Sequence, residues 1–201
     1  MPSPSGRSPR PLPYPVVLAS ASPRRQTLLR DLAPEFTVDA AELDEDAMTL
    51  DDPWQTAQRL AREKALVVAE RHPECLVIAG DTVVALETTD GWRQLAKPLD
   101  EADACRMLRE LSGREHRVIT GVALRWPKGL DVFTETATVV FRNLSDAEIA
   151  AYVATGEPMD KAGAYGLQGG AKAFLERIEG EWATVVGLPV TRLAEALRDV
   201  R

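Results

Sequence analysis

Val16-Val17-Leu18-Ala19-Ser20-Ala21-Ser22-Pro23-Arg24-Arg25 decides the fold class. Its first four residues form a short apolar run of the kind that makes a buried strand. Ser22 carries the short oxygen-bearing side chain that caps a helix N-terminus, and Pro23 suits the first helical position, where its missing N–H would be unpaired anyway. Leu28, Leu29 and Leu32 then supply one apolar helix face. Strand, tight turn and helix therefore occupy residues 16–32.

The same reasoning extends along the chain. Phe36 to Val38 reads as a short strand, followed by the acidic loop Glu42-Leu43-Asp44-Glu45-Asp46. Asp52-Pro53 opens a helix with the stripe Trp54, Ala57, Leu60, Ala61, Ala65 and Val68, running to about Arg71. Leu76 to Gly80 is a continuous apolar strand ending at Asp81, and Val83 to Leu86 continues in strand-like fashion. Thr88-Thr89-Asp90-Gly91 is a turn. Asp100 caps a helix through Leu111, which Ser112-Gly113 ends. Val118 to Trp126 and Val132 to Phe141 form a strand pair joined by Pro127-Lys128-Gly129. Ser145 and Glu148 make a capping box for a helix to about Ala154. Phe174 to Ile178 and Trp182 to Val186 read as strands, and Leu188-Pro189 starts a last helix with Leu193, Ala196 and Leu197 facing inward. Interleaved helices and strands with one antiparallel pair give the α/β class, with a mixed twisted sheet flanked by helices.

A chain of 201 residues fits one domain and can bury a real core without disulfide support. The net charge of −7 disfavours a nucleic-acid coat, which needs a net basic face, but leaves room for a small basic pocket. No apolar run approaches the ~18 residues of a membrane span. Cys75 and Cys105 read as buried free thiols, and His72 and His116 have no zinc spacing. A reducing cytoplasm is the expected compartment. Residues 1–15 hold six prolines, which argue for a disordered tail ahead of a single domain over residues 16–201. The arginines and the lack of acids there resemble a transit peptide only faintly, because the prolines oppose its amphipathic helix.

Five features carry chemistry. Ser20 to Arg25 places two hydroxyls and two guanidinium groups at a helix N-terminus directly after a strand, a ready anion site; a capped helix with solvated arginines is the alternative. Asp81, at the end of an apolar strand, is placed for metal binding or general-base work, or simply starts a turn. Glu45 in the acidic loop offers a second carboxylate for a hard cation, or is simply one of several solvated acids there. Lys64, Lys97 and Lys161, the last beside Asp160, are each ordinary solvated lysines alone, yet together with the arginines they neutralise a triphosphate. The glycine-rich run Gly163 to Gly170 permits close backbone approach to a flat ligand, with the Gln168 amide available to a base edge, or is simply a flexible loop. There is no P-loop, nucleophile elbow or Ser-His-Asp set.

These residues resemble the Maf family of nucleoside triphosphate pyrophosphatases. The matching motifs are LASASPRR (18–25), AREKA (61–65), GDTVV (80–84), KP (97–98), LSGREHRVITGVAL (111–124), GEPMDKAGAYGLQG (156–169) and VVGLP (185–189), in family order over residues 16–201. Ala79-Gly80 departs from the family's usual Gly-Ala, a swap between small residues. The resemblance implies a two-lobed, ITPase-like fold around a central cleft, a divalent cation (Mg²⁺ or Mn²⁺), a cytoplasmic location and a homodimer. It makes Asp81 the catalytic proton acceptor. Ser20, Arg25, Lys64, Lys97 and Lys161 fall on phosphate positions, and Glu45, Asp81 and Asp160 on metal positions. Arg24, Thr82 and Gln168 fall on positions that separate substrate classes, and their identities match the dTTP/UTP subgroup rather than the 7-methyl-GTP subgroup. The expected reaction gives the monophosphate and pyrophosphate. Two rivals stand beside it, a nucleotide-binding regulator of septum formation without turnover and a 7-methyl-GTP pyrophosphatase. Neither nucleic acid nor membrane is an expected partner.

Overall fold

The computed structural model describes residues 11–201. Its strands are β1 (Val16–Leu18), β2 (Thr37–Val38), β3 (Leu76–Thr88), β4 (Gly91–Leu95), β5 (Glu115–Trp126), β6 (Gly129–Phe141) and β7 (Leu175–Glu179). They form one mixed sheet in the order β2-β1-β3-β5-β6-β7, with β4 also paired to β3. The α-helices are α1 (Pro23–Arg30), α2 (Pro53–Arg71), α3 (Glu101–Leu111), α4 (Asp146–Val153), α5 (Trp182–Val186) and α6 (Val190–Ala196).

The capping residues act locally, so their positions hold. Ser22 Oγ accepts from Arg25 N, and Asp52 Oδ1 accepts from Trp54 N at 2.8 Å. Asp100 Oδ1 accepts from Asp103 N at 2.7 Å, and Ser145 with Glu148 forms the full capping box.

The central strand corrects the sequence reading. β3 does not end at Asp81: it continues to Thr88, with Asp81 near its middle. One edge of β3 is filled by β5 from Val77 to Ala85. The other edge is shared by two strands, β1 over Leu76–Ile78 and β4 over Val84–Thr88. Residues 79–83 lie between them with no strand on that side. Asp81 thus reaches a strand-end crevice, but the ends belong to β1 and β4.

The apolar core divides at the same level. Leu76, Ile78, Val122 and Leu124 join one cluster with Leu29 and Leu188, while Val84, Leu86 and Val118 join another with Leu108 and Phe141. On the opposite sheet face Val77, Ala79 and Ala123 pack with Ala61, Ala65 and Val68, while Val83, Ala85 and Ile119 pack with Ala57. The breaks in all four clusters coincide with Asp81-Thr82 on β3 and Thr120-Gly121 on β5. Two apolar lobes therefore meet at a polar waist.

Gly121, paired in register with Asp81, lets α2 approach the sheet. A Cβ there would stand 2.1 Å from the Ala57 carbonyl oxygen, inside any tolerable contact. Gly121→Ala should push α2 away and cost about 1–3 kcal/mol, read as a lower urea midpoint. An unchanged midpoint would refute this packing.

Four other expectations change. Trp182 to Val186 is helix α5 rather than a strand. Gly187 N and Leu188 N both bond the Ala183 carbonyl and close the turn, and a run of five residues is too short for periodicity to choose between the states. The 127–129 turn is tighter than expected, because Gly129 already pairs with Trp126. Of the tail expected over residues 1–15, residues 1–10 lie outside the described residues. Of residues 11–15, Leu12 and Tyr14 lie against the core, and the Pro15 carbonyl accepts from Leu76 N, while Pro11, Pro13 and Pro15 are exposed. Cys75 and Cys105 are free thiols, half-buried rather than buried. No helix among the described residues is long and apolar enough to cross a membrane.

Candidate active site

The gap beside residues 79–83 collects the charged side chains. β1 delivers Ser20, and α1, starting one turn later, delivers Arg25. Arg25 Nε donates to Gly187 O at 2.8 Å, Nη1 to Ser20 Oγ at 3.2 Å, and Nη2 to Thr82 Oγ1 at 3.0 Å. Burial lowers the Arg25 pKa, and the nearby Arg24 charge acts in the same direction, while Asp81 and Glu45 oppose both.

Asp81 and Thr82 are successive strand residues, so they point to opposite sheet faces. On the α2 face, Lys64 Nζ lies 2.6 Å from Asp81 Oδ1 and 2.7 Å from Glu45 Oε1. Lys64 and Asp81 are buried, whereas the Glu45 side chain is 45 % exposed and opens the cluster to solvent. Partial burial would raise the Glu45 carboxyl pKa. The Lys64 hydrogen bond, with the charges of Lys64, Lys97 and Arg25, overcomes this and holds it below the ordinary value. Lys97 is exposed just beyond β4, and its charge reaches Glu45 from there.

Asp160 and Lys161 form an ion pair on the loop after α4. The hydrogen bond from Lys161 lowers the Asp160 pKa against a smaller burial effect, and the Arg24 charge adds to the lowering. Arg24 is half-buried, and Gln168 is exposed on the glycine-rich loop. Ser20, Arg25 and Thr82 are thus joined by direct contacts, as are Lys64, Glu45 and Asp81. The charges of Asp81 and Glu45 on Arg25 link the two sets, Lys97 joins by its field on Glu45, and Arg24 with Asp160 and Lys161 by theirs. Gln168 is on the same loop as Lys161. Among the described residues no three His, Cys, Asp or Glu side chains converge as a metal cluster, and Asp160 pairs with Lys161 rather than with Glu45 and Asp81.

Sequence reasoning missed Glu157 and Tyr152. Glu157 Oε1 accepts from the Tyr152 hydroxyl and Oε2 from Gly170 N, each at 3.0 Å, while Tyr152 also accepts from Gly166 N at 3.1 Å. The Glu157 carboxylate fills the space where a Gly169 side chain would start, 2.1 Å from that position. Packing against Glu157 therefore accounts for this glycine without any ligand. Burial, with Glu157 alongside, raises the Tyr152 phenol pKa. The pair shapes the loop that presents Asp160, Lys161 and Gln168. Glu157 lies inside the 156–169 motif, but nothing in its spacing to Gly169 signals the contact.

A family model described as Maf-like protein matches residues 15–200. The chain belongs to the Maf family. Its relatives include the dTTP/UTP pyrophosphatases of Koribacter versatilis, 49 % identical over 91 % of this chain and 93 % of that protein, and of Aquifex aeolicus, 44 % identical over 92 % and 95 %. A Geobacillus protein of the same name is 46 % identical over 91 % of this Maf chain and 96 % of its own. Solved structures of Ham1 proteins from Staphylococcus aureus and Coxiella burnetii align with TM-scores of 0.50 and 0.51, at 16 % and 13 % identity. Each alignment covers 92 % of this chain and 99 % of the other. At that identity they share the fold alone.

Proposed function

We propose that this Maf protein hydrolyses dTTP and UTP to the monophosphate and pyrophosphate. The observation that carries the reading is the pool of uncommitted donors facing a carboxylate pair. Ser20 Oγ accepts from Ser22 N and from Arg25, so its own O–H is left to donate. Arg25 commits three N–H groups and keeps two. Lys64 has three donors and uses two. Phosphate oxygens accept from groups of this kind, and the relatives' names supply the nucleotide class.

Glu45 and Asp81 are hard oxygen donors, which fits Mg²⁺ or Mn²⁺ completed by water and substrate phosphate. They would hold the ion, which when bound would neutralise phosphate charge and polarise the α-phosphorus. Asp81 orients an attacking water and takes its proton at Oδ2, because Oδ1 is held by Lys64. Ser20 and Arg25, with Lys97 and Lys161 at the rim, stabilise the charge that builds on the leaving pyrophosphate. Gln168, with Arg24 close to the Asp160–Lys161 pair, chooses the base.

The test is a nucleotide panel with Mg²⁺ and product identification. Pyrophosphate released from dTTP and UTP in preference to 7-methyl-GTP supports the reading, and binding without product would favour a nucleotide sensor. Gln168→Ala should shift the dTTP:UTP:GTP preference more than the maximal rate, about 10-fold if one base hydrogen bond is lost. An unaltered ratio of kcat/KM values removes Gln168 from base selection.

A further inference from the structure

Thr120 sits on β5 in register with Thr82 on β3 and is fully buried. Its Oγ1 lies 2.7 Å from the Thr184 carbonyl oxygen and 3.0 Å from Thr82 Oγ1. A carbonyl can only accept, so Thr120 gives its single hydroxyl proton to Thr184. Thr120 then meets Thr82 with a lone pair, and Thr82 must be the donor. Thr82 in turn accepts from Arg25 Nη2. The chain has one direction, from Arg25 through Thr82 and Thr120 to the Thr184 carbonyl. Arg25 Nε donates separately to the Gly187 carbonyl at the end of α5. The guanidinium is therefore tied twice to α5, once directly and once through two threonines.

We propose that Thr120 is a positioning residue, orienting Thr82 so that Arg25 turns its two remaining N–H groups toward a polyphosphate. The proposal rests on the phosphate-binding role given to Arg25 above. It also changes how Thr82 acts. A hydroxyl whose proton is committed to Thr120 has none to give a base, so Thr82 reaches the nucleotide through Arg25 or as an acceptor, never as a donor.

Inorganic pyrophosphate is the probe, because its binding is measured by calorimetry without turnover. Thr120→Val keeps the shape and removes the relay. It should weaken pyrophosphate binding and raise the KM for dTTP by ~3–10-fold each, the worth of one misplaced charge-assisted hydrogen bond, with a smaller change in kcat. Thr120→Ser retains the hydroxyl and should stay within about 2-fold of the parent protein. In a Thr82→Val background the Thr120→Val change should add nothing, a coupling that a purely structural role would not produce. If Thr120→Val does not fold, Thr82→Val carries the test and should show the same weakening.

A parent protein that binds pyrophosphate and cleaves dTTP, with a Thr120→Val (or, in its stead, Thr82→Val) variant of unchanged affinity, overturns the positioning role and leaves the activity standing. A parent protein that neither binds pyrophosphate nor releases it from dTTP overturns both.

Discussion

Asp81→Asn is expected to reduce turnover of dTTP by ~10²-fold or more, because the amide keeps the shape of the carboxylate and cannot take a proton from water. The fold should tolerate it. The Asn carbonyl still accepts from Lys64, and Lys64 keeps Glu45 as its charged partner at 2.7 Å. KM should not rise on electrostatic grounds, because the change removes a negative charge from a pocket that binds a polyanion. The loss therefore belongs in kcat, which is how an interaction made only in the transition state shows itself. A divalent-ion titration separates the two duties given to Asp81. If it only holds the ion, excess Mg²⁺ or Mn²⁺ restores turnover; if it accepts the proton, saturation leaves the deficit in place. Turnover matching the parent protein would sink both roles.

What the sequence made legible follows from the range of the interactions concerned. Ser22, Asp52, Asp100 and Ser145 announce their helices because a cap bonds an N–H two or three residues away. Strand limits depend on partners that are distant in sequence. The pair Asp81-Thr82 looks like the end of an apolar strand, yet β5 holds both residues in the ladder through Gly121 and Thr120. β4 carries no strand signal in the sequence, because its Arg93 and Gln94 give no apolar alternation, and its pairing with β3 alone makes it a strand. Trp182 to Val186 has the composition of a strand, but the closing bonds at Gly187 and Leu188 make it helical.

The candidate site divides in the same way. Arg25, Asp81 and the lysines are visible as charged residues in otherwise apolar or glycine-rich surroundings, and the family motifs name them. Their supports are not visible. Gly187 lies 162 positions from Arg25, and Thr184 lies 64 from Thr120. No local pattern announces a carbonyl that will accept a hydrogen bond across the fold. The residues that touch a ligand are chemically distinctive, whereas those that aim them are ordinary threonines and glycines.

Acid should destabilise the protein well before its carboxylates titrate, and His116 is the reason. This histidine is 1 % exposed on β5, packed edge-on against Phe141 and Tyr165, with Nε2 at 2.8 Å from the Tyr165 hydroxyl. Burial pushes its pKa down to about 3, and the neighbouring Arg117 charge acts in the same direction. In the unfolded chain the imidazole titrates near ~6.5. Between those values the unfolded state binds the extra proton, so stability is complete above about pH 6.5 and falls as the pH drops toward 3. The slope approaches ~1.4 kcal/mol per pH unit, or roughly 4–5 kcal/mol across the window, a large share of a typical domain's stability. Asp39, held down to about 2 by Arg71 and His72, and Glu148, held there by Arg142 and Ser145, lose their contributions only at lower pH, as acid passes the ordinary carboxylate range. The interval from pH 6.5 to about 5.5, where these carboxylates are ionised in the unfolded chain as well, therefore reports on His116. Urea unfolding at half-unit steps through that interval should show the parent protein losing stability and His116→Gln, lower throughout, running nearly flat. Equal slopes in the two proteins would show that His116 is not held neutral. Tyr165 belongs to the loop that carries Lys161 and Gln168, so the unfolding that lets His116 take up a proton also removes the support beneath the rim of the proposed nucleotide pocket.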